Sequence, residues 1–395
     1  MPSRNFSPFS RRSFLQLSAA ASAAAAFPIV TEPMLAAAAR QAAPKDGIMI
    51  DSNENPLGPS QAARDAVSAI IPVSGRYLFD LTDDLGHTFA QLEGLNPDWV
   101  HVFPGSSPAL TFSVVAFTSP QASYVTADPG YEAGMFAAEK VKARMVKVPL
   151  TRTYAHDVKA MLAAAPDAGV FYICNPNNPT GTLTPHSDIE YLVENKPKGS
   201  IVMVDEAYIH FCDAPSALEF VKAGKDVVVL RTFSKTYGMA GLRCGFAIAR
   251  PDLLEKIMNR AGWNSMPVTA VVAASASLKD AGLVPERKRI NANIRQQTFQ
   301  WLDRNGYSYT PSESNCFLLE TKRPGKEVIA AMAQQKVFIG RIWPVMPSWV
   351  RVTVGTLQEM EQFQAAFQRV MRGTAAFSLQ PAGAGRKPRR PELLS

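Results

Sequence analysis

The sequence predicts an α/β fold organised on a mostly parallel sheet. Three apolar runs carry that expectation: Val170–Cys174, Ile201–Val204 and Val227–Leu230. Their length and their β-branched or aliphatic content suit strands buried on both faces. Each runs straight into a polar or glycine-bearing loop, at Asn175, Asp205 and Arg231. The intervals of 27 residues from Asn178 to Asp205 and 30 residues from Asp205 to Lys235 each leave room for one helix and one strand. That is the βα repeat of a parallel sheet. Ligands in such sheets lie beyond the carboxyl ends of the strands, so these loops are expected to share one site.

Taken in order, the chain opens on SRRSFLQ (Ser10–Gln16), an alanine-rich apolar run from Leu17 to Val30, and small residues at Ala36–Ala39. A positive start, a modest apolar core and an A-x-A-like site make a signal peptide. Arg11-Arg12 followed by Phe14-Leu15 resembles the twin-arginine export signal. That resemblance implies export of an already folded protein by the twin-arginine machinery, to the periplasm or beyond. No other apolar run reaches the length of a membrane span, so a soluble mature protein without membrane insertion is expected.

A chain of 395 residues with 47% hydrophobic content can bury a large core and suggests about two domains. Its formal charge of +7 is concentrated at the ends. Arg4, Arg11, Arg12 and Arg40 outweigh Glu32 at one end; Arg386, Lys387, Arg389 and Arg390 outweigh Glu392 at the other. The body between is near neutral, which argues against a nucleic-acid partner. Cys174, Cys212, Cys244 and Cys316 form no CxxC pair, so no metal site is expected. Buried thiols are the default, with one disulfide left open by the export signal.

Beyond a lead-in at Gln41–Gly47, the loop Ser52–Ser60 (SNENPLGPS) enters a helix, Gln61–Ile70, with Ser60 as cap. A short strand, Trp99–Phe103, precedes Gly105-Ser106-Ser107-Pro108, where a serine cap and proline at the first helical position start another helix. The amides of that first turn form an anion site, and the small residues let a phosphate come close. Ser123–Thr126 is a strand ending in DPGYEAG. Two prolines, three asparagines and a glycine make NPNNPTG (Asn175–Gly181) a loop. Asp205 ends an apolar strand, where a carboxylate costs free energy unless a cation faces it. Lys235 follows Ser234 where another strand has run out, and three glycines in Thr236–Gly245 let backbone approach a ligand. An amine so held can form a Schiff base with a carbonyl compound. Arg243 stands eight residues on, placed for the same anion as Ser234.

SKTYGMAGLRCGF (Ser234–Phe246), with NPNNPTG and NENPLGP in the expected order, resembles the class I/II aminotransferases, specifically the histidinol-phosphate aminotransferase-like members. The resemblance covers roughly Ile48 to Val370. It implies pyridoxal 5'-phosphate (PLP) as cofactor and the type I fold of PLP-dependent transferases: a large domain with a mostly parallel seven-stranded sheet, plus a smaller α+β domain. It further implies Lys235 as cofactor lysine and base, Asp205 on the ring nitrogen, and Tyr208 with Asn178 on the phenolic oxygen. Gly105, Ser106, Ser107, Ser234 and Arg243 would hold the phosphate, and Tyr131 would stack on the ring. Tyr77 would reach the cofactor phosphate of a partner subunit, which makes a homodimer the expected assembly. Arg351 would bind the substrate carboxylate; Arg341 and Asn55 would border the substrate. The family segment around Tyr77 is usually RYP and here is RYLFD; near Arg341, Trp343-Pro344 replace the usual polar neighbour.

The expected division is a signal peptide at 1–40, an arm and substrate loop at 41–75, a large PLP-binding domain at 76–255, a small domain at 256–372 and a disordered tail at 373–395. Within the small domain, Leu253–Trp263, Val268–Leu278 and Glu286–Asn305 read as helices, with strands at Tyr307–Thr310 and Cys316–Glu320. The reaction expected is transfer of an amino group from an amino acid to a 2-oxo acid. Two rivals stand beside it: a PLP-dependent decarboxylase, racemase or lyase, and a non-catalytic periplasmic binding protein. Histidinol phosphate is the family precedent, but its chemistry is cytoplasmic and this chain carries an export signal. Trp343 and Trp349 near Arg351 suggest a neutral or aromatic donor instead.

Overall fold

The computed structural model describes residues 46–262 and 265–377. The signal peptide, Trp263 and most of the expected tail lie outside the described residues. Seven strands form one sheet in the order β2-β8-β7-β6-β5-β3-β4. They are β2 (Val100–Phe103), β3 (Ser123–Asp128), β4 (Met145–Pro149), β5 (Ala168–Cys174), β6 (Ile201–Asp205), β7 (Val227–Thr232) and β8 (Gly245–Ile248). All neighbours are parallel except β8, which runs antiparallel to both β2 and β7.

The central strands are buried along their whole length, and their side chains alternate between two cores. Phe171, Ile173, Val202, Val204, Val227 and Val229 face one, with Leu85 and Phe89 of the helix Phe79–Glu93. Tyr172, Cys174, Ile201, Met203, Val228 and Leu230 face the other, with Leu110 and Val114 of the helix Ser106–Phe117. Period-two alternation between two apolar layers is what a doubly covered parallel sheet requires. The first core also takes in Ala63 and the stretch from Met266 to Leu283, on both sides of the boundaries expected at 75 and 255. A third core gathers Ile50, Phe317, Leu319, Val350, Val352, Phe363 and Phe367 under two small sheets. One pairs β1 (Ile48–Ile50) with β10 (Val337–Ile339); the other pairs β9 (Cys316–Glu320) with β11 (Trp349–Thr353).

The helix Gln61–Ile70 is capped by Ser60, whose hydroxyl accepts from Ala63 N. Several boundaries differ from the sequence reading. The segment Tyr307–Thr310 forms no strand; it contributes one bridge, Tyr309 to Leu319. Its neighbour Thr310 still donates its amide to Leu318 O at 3.0 Å, but Leu318 N donates to the Thr310 hydroxyl at 2.9 Å and not to a carbonyl, so the ladder stops there. The helix expected to close at Trp263 ends at Ala261, followed by Gly262 at φ 65°. The last helix runs through Phe377, past the expected end at 372. No single helix among the described residues is long and apolar enough to cross a membrane.

Candidate active site

The carboxyl ends of β2, β3, β5, β6 and β7 converge on one cleft. Ser106, Ser107, Tyr131, Asn178, Asp205, Tyr208, Ser234, Lys235 and Arg243 all line it. Lys235 is nearly buried; its Nζ lies 5.6 Å from the Tyr208 ring centroid and donates to Ser52 O at 3.3 Å.

Asp205 closes the floor. Its Oδ2 accepts from Tyr172 Oη at 2.9 Å and its Oδ1 from Ala207 N at 3.1 Å. Burial pushes its carboxyl up to about 6, against which the Tyr172 bond works. A carboxylate in such surroundings calls for a facing cation. The adjacent Glu206 has a different fate because successive side chains of a strand part company. It accepts from Arg231 Nε at 2.6 Å and from Ala217 N at 2.6 Å, in a buried structural pair.

The anion end is built at the start of the helix Ser106–Phe117. Its cap is Gly105 at φ 92°, not the serine the sequence suggested, and no side chain caps it. Only glycine fits there. A Cβ on Gly105 would stand 2.3 Å from Arg243 Nη2, and one on Gly245 would meet Ser106 N at 2.8 Å. Arg243 Nη1 donates to Ser234 Oγ at 3.1 Å and to Ala240 O at 2.8 Å. Helix amides, two serine hydroxyls that cap nothing and a guanidinium therefore meet around space kept open by glycine, which suits a phosphate. With an amine on Lys235 and a carboxylate awaiting a cation, these groups fit a pyridoxal phosphate: phosphate, aldehyde and ring nitrogen each have a counterpart.

Two side chains that the sequence did not single out complete the floor. Asn53, fully buried, donates from Nδ2 to Tyr208 Oη at 2.9 Å and accepts from Thr353 Oγ1 at 3.1 Å. Tyr172 is the other. Its place on the same face as Cys174 was readable from strand alternation, but nothing local marked its hydroxyl as serving Asp205.

The outer residues stand outside the cleft lining. Arg351 is fully buried behind Asn178, donating to Asn178 Oδ1 at 2.9 Å and Asp51 O at 2.6 Å. Arg341 is held in a fork by Glu132, at 2.7 and 2.8 Å. Asn55 lies outside the cleft lining and donates to Thr236 O at 3.0 Å; its neighbour Glu54 lines the cleft instead. Tyr77 is exposed, stacked on Phe79 at 5.3 Å, and does not line the cleft of its own chain. Trp343 is buried with Nε1 on Gly130 O at 2.9 Å, and Trp349 pairs with Tyr154, so neither lines the cleft. The four cysteines are buried free thiols.

Comparison with known proteins identifies the family. The family model for aminotransferase class I and II matches residues 45–367. The chain belongs to that family. It is a PLP-dependent aminotransferase. Histidinol-phosphate aminotransferase from Moorella thermoacetica is 33% identical over 343 residues, covering 84% of this chain and 87% of the relative. Its counterpart 1 from Cupriavidus pinatubonensis is 33% identical over 336 residues, covering 82% and 88%. The crystal structure of histidinol-phosphate aminotransferase from Sinorhizobium meliloti, in complex with pyridoxal-5'-phosphate, shares the fold at a TM-score of 0.76 and 24% identity, covering 93% of this chain and 99% of that one. A twin-arginine translocation signal matches residues 8–28.

Proposed function

We propose that this aminotransferase works on an amino donor other than histidinol phosphate, with a 2-oxo acid as acceptor. The observation that carries the assignment of roles is the convergence of Lys235, Asp205 and Asn178 on one cleft. Pyridoxal phosphate supplies an aldehyde that a primary amine can condense with and a ring that withdraws electrons. Lys235 would be the residue that attaches the cofactor, and its amine would serve as the base for the substrate α-proton. Asp205 would face the ring nitrogen and keep it protonated. Asn178 and Tyr208 hold the phenolic oxygen, with Asn53 orienting the tyrosine. Ser106, Ser107, Ser234 and Arg243 hold the phosphate, Tyr131 covers the ring, and Arg351 offers its fork to the substrate carboxylate beside Asn178.

The export signal supports a periplasmic or secreted protein that acquires its cofactor before leaving the cytoplasm. The exposed Tyr77 and Phe79 support a homodimer in which Tyr77 serves the partner's cofactor phosphate. The large unit on this reading spans 76–255 with the added packing of Met266–Leu283, and the smaller unit follows it.

The test is spectroscopic. Protein purified folded from an export-competent host should show visible absorption that borohydride makes permanent, with the label on the Lys235 peptide by mass spectrometry. Amino donors added singly should bleach that absorption with release of the matching 2-oxo acid. Bleaching with loss of carbon dioxide would instead favour a decarboxylase. Turnover of histidinol phosphate at rates above every amino acid tried would overturn the donor assignment.

A further inference from the structure

The charges around the cleft are unevenly committed. Glu132, next to Tyr131 of the cleft lining, takes both terminal nitrogens of Arg341, Nη1 at 2.7 Å and Nη2 at 2.8 Å. Both side chains are largely buried, at 13% and 20% exposure. Arg341 also lies 4.3 Å from the ring centroid of Trp343, whose other guanidinium neighbour is Arg351 at 5.6 Å. Two cations against one indole are separated by roughly 10 Å at most, within the span of a small two-headed ligand. On geometry alone, a donor with its α-carboxylate on Arg351 would bring a second anion towards Arg341.

That second cation is already taken. A substrate anion would have to displace a carboxylate that the fold holds in place, at an effective concentration far above that of a dissolved metabolite. It would also strand Glu132 in a half-buried setting without its partner. A second observation points the same way. Glu54 lines the cleft, and its carboxylate has no hydrogen bond or ion pair among the described residues. The cleft lining therefore carries an unpaired carboxylate, and Arg341, outside that lining, is already cancelled by Glu132.

We propose that Glu132 is a specificity-determining residue that restricts this aminotransferase to donors carrying a single anionic group, by occupying Arg341 from within the chain. The donors are monocarboxylic amino acids with neutral or cationic side chains. Donors with a second carboxylate or a phosphate are excluded. This inference rests on Arg351 as the holder of the α-carboxylate.

The experiment uses the cofactor-loaded protein, with calorimetric titration of two unreactive acids, 3-phenylpropionate and glutarate, and half-reaction rates with leucine and glutamate. The wild type should bind 3-phenylpropionate more tightly than glutarate and react faster with leucine. Glu132→Gln keeps the shape of the pair and removes the charge. It should raise the ratio of glutarate to 3-phenylpropionate affinity, and of glutamate to leucine rate, at least tenfold. Adding Arg341→Gln should cancel that gain. A wild type that prefers glutarate and glutamate would overturn the inference, whether or not the variants fold, and so would an unchanged ratio in Glu132→Gln. Failure of the Arg351 assignment looks different, because neither acid would then compete with a donor.

Discussion

Arg351 Nη1 donates to Asn178 Oδ1 at 2.9 Å, across 173 residues of sequence. The pair joins β11 of the small sheet to the loop after β5 of the large one. The carbonyl oxygen of Asn178 is thereby committed to arginine, while the residue still lines the cleft. On the roles proposed above, the residue that would orient a substrate carboxylate and the residue that would hold a cofactor oxygen form one unit, and disturbing either should disturb both.

Arg351→Lys tests that coupling. Lysine keeps the charge but has neither the fork nor the reach to serve Asn178 and Asp51 O together. Breaking a buried charged hydrogen-bond set costs about 2–5 kcal/mol, so kcat/KM should fall by roughly thirtyfold or more. The visible absorption of the bound cofactor should shift as well. A rise in KM with an unchanged spectrum would show that Arg351 and Asn178 act separately.

The buried carboxyl of Asp205 sets a pH dependence in the cofactor-free protein. Its folded value of about 6 lies above the unfolded 3.8. The folded state therefore holds the proton more tightly, and the stability this confers is full below pH 4. It is lost as pH rises through 6, by about 3 kcal/mol. Urea titrations of cofactor-free protein should show that decline between pH 4 and 6, and Asp205→Asn should remove it. Loading the cofactor should also remove it, since a protonated ring nitrogen then faces the carboxylate.

Gly105→Ala probes the anion end. The new methyl would stand 2.3 Å from Arg243 Nη2, at a backbone φ of 92° that alanine rarely adopts. Arg243 must move away from Ser234. Cofactor affinity should drop at least tenfold, about 1.4 kcal/mol, as measured by equilibrium dialysis, with phosphate-free pyridoxal affected less. Equal losses for both ligands would place the damage elsewhere than the phosphate site.

Much of this was legible because the chemistry sits where strands end. Lys235, Asp205 and Asn178 each follow an apolar run, and strand burial makes such runs conspicuous. The side chains that hold these groups were not legible. Tyr172 and Asn53 act through contacts to residues 33 and 155 positions away, which no local pattern encodes. Glu132 pairs with an arginine 209 residues distant, so the sequence showed Arg341 as a ligand-binding cation when the fold had already neutralised it. Gly105, not a serine, stands at the cap at φ 92°, where Arg243 leaves no room for a side chain, again a tertiary constraint.

Tyr172→Phe isolates one of those hidden contacts. The phenol donates to Asp205 Oδ2 at 2.9 Å and favours the ionised carboxyl, opposing the larger effect of burial. Hydrogen bonds to charged groups contribute about 1.5–3 kcal/mol, or about one to two pH units on the carboxyl. Removing the hydroxyl should raise Asp205 further above 6 in the cofactor-free protein. A protonated Asp205 no longer balances a protonated ring, so the acid limb of cofactor binding should move to higher pH by about one unit. Affinity well above that limb should change little, because the carboxyl is ionised there in both proteins. A limb that stays in place would mean Tyr172 only packs against Asp205; a uniform loss at every pH would mean the substitution disturbs the floor itself.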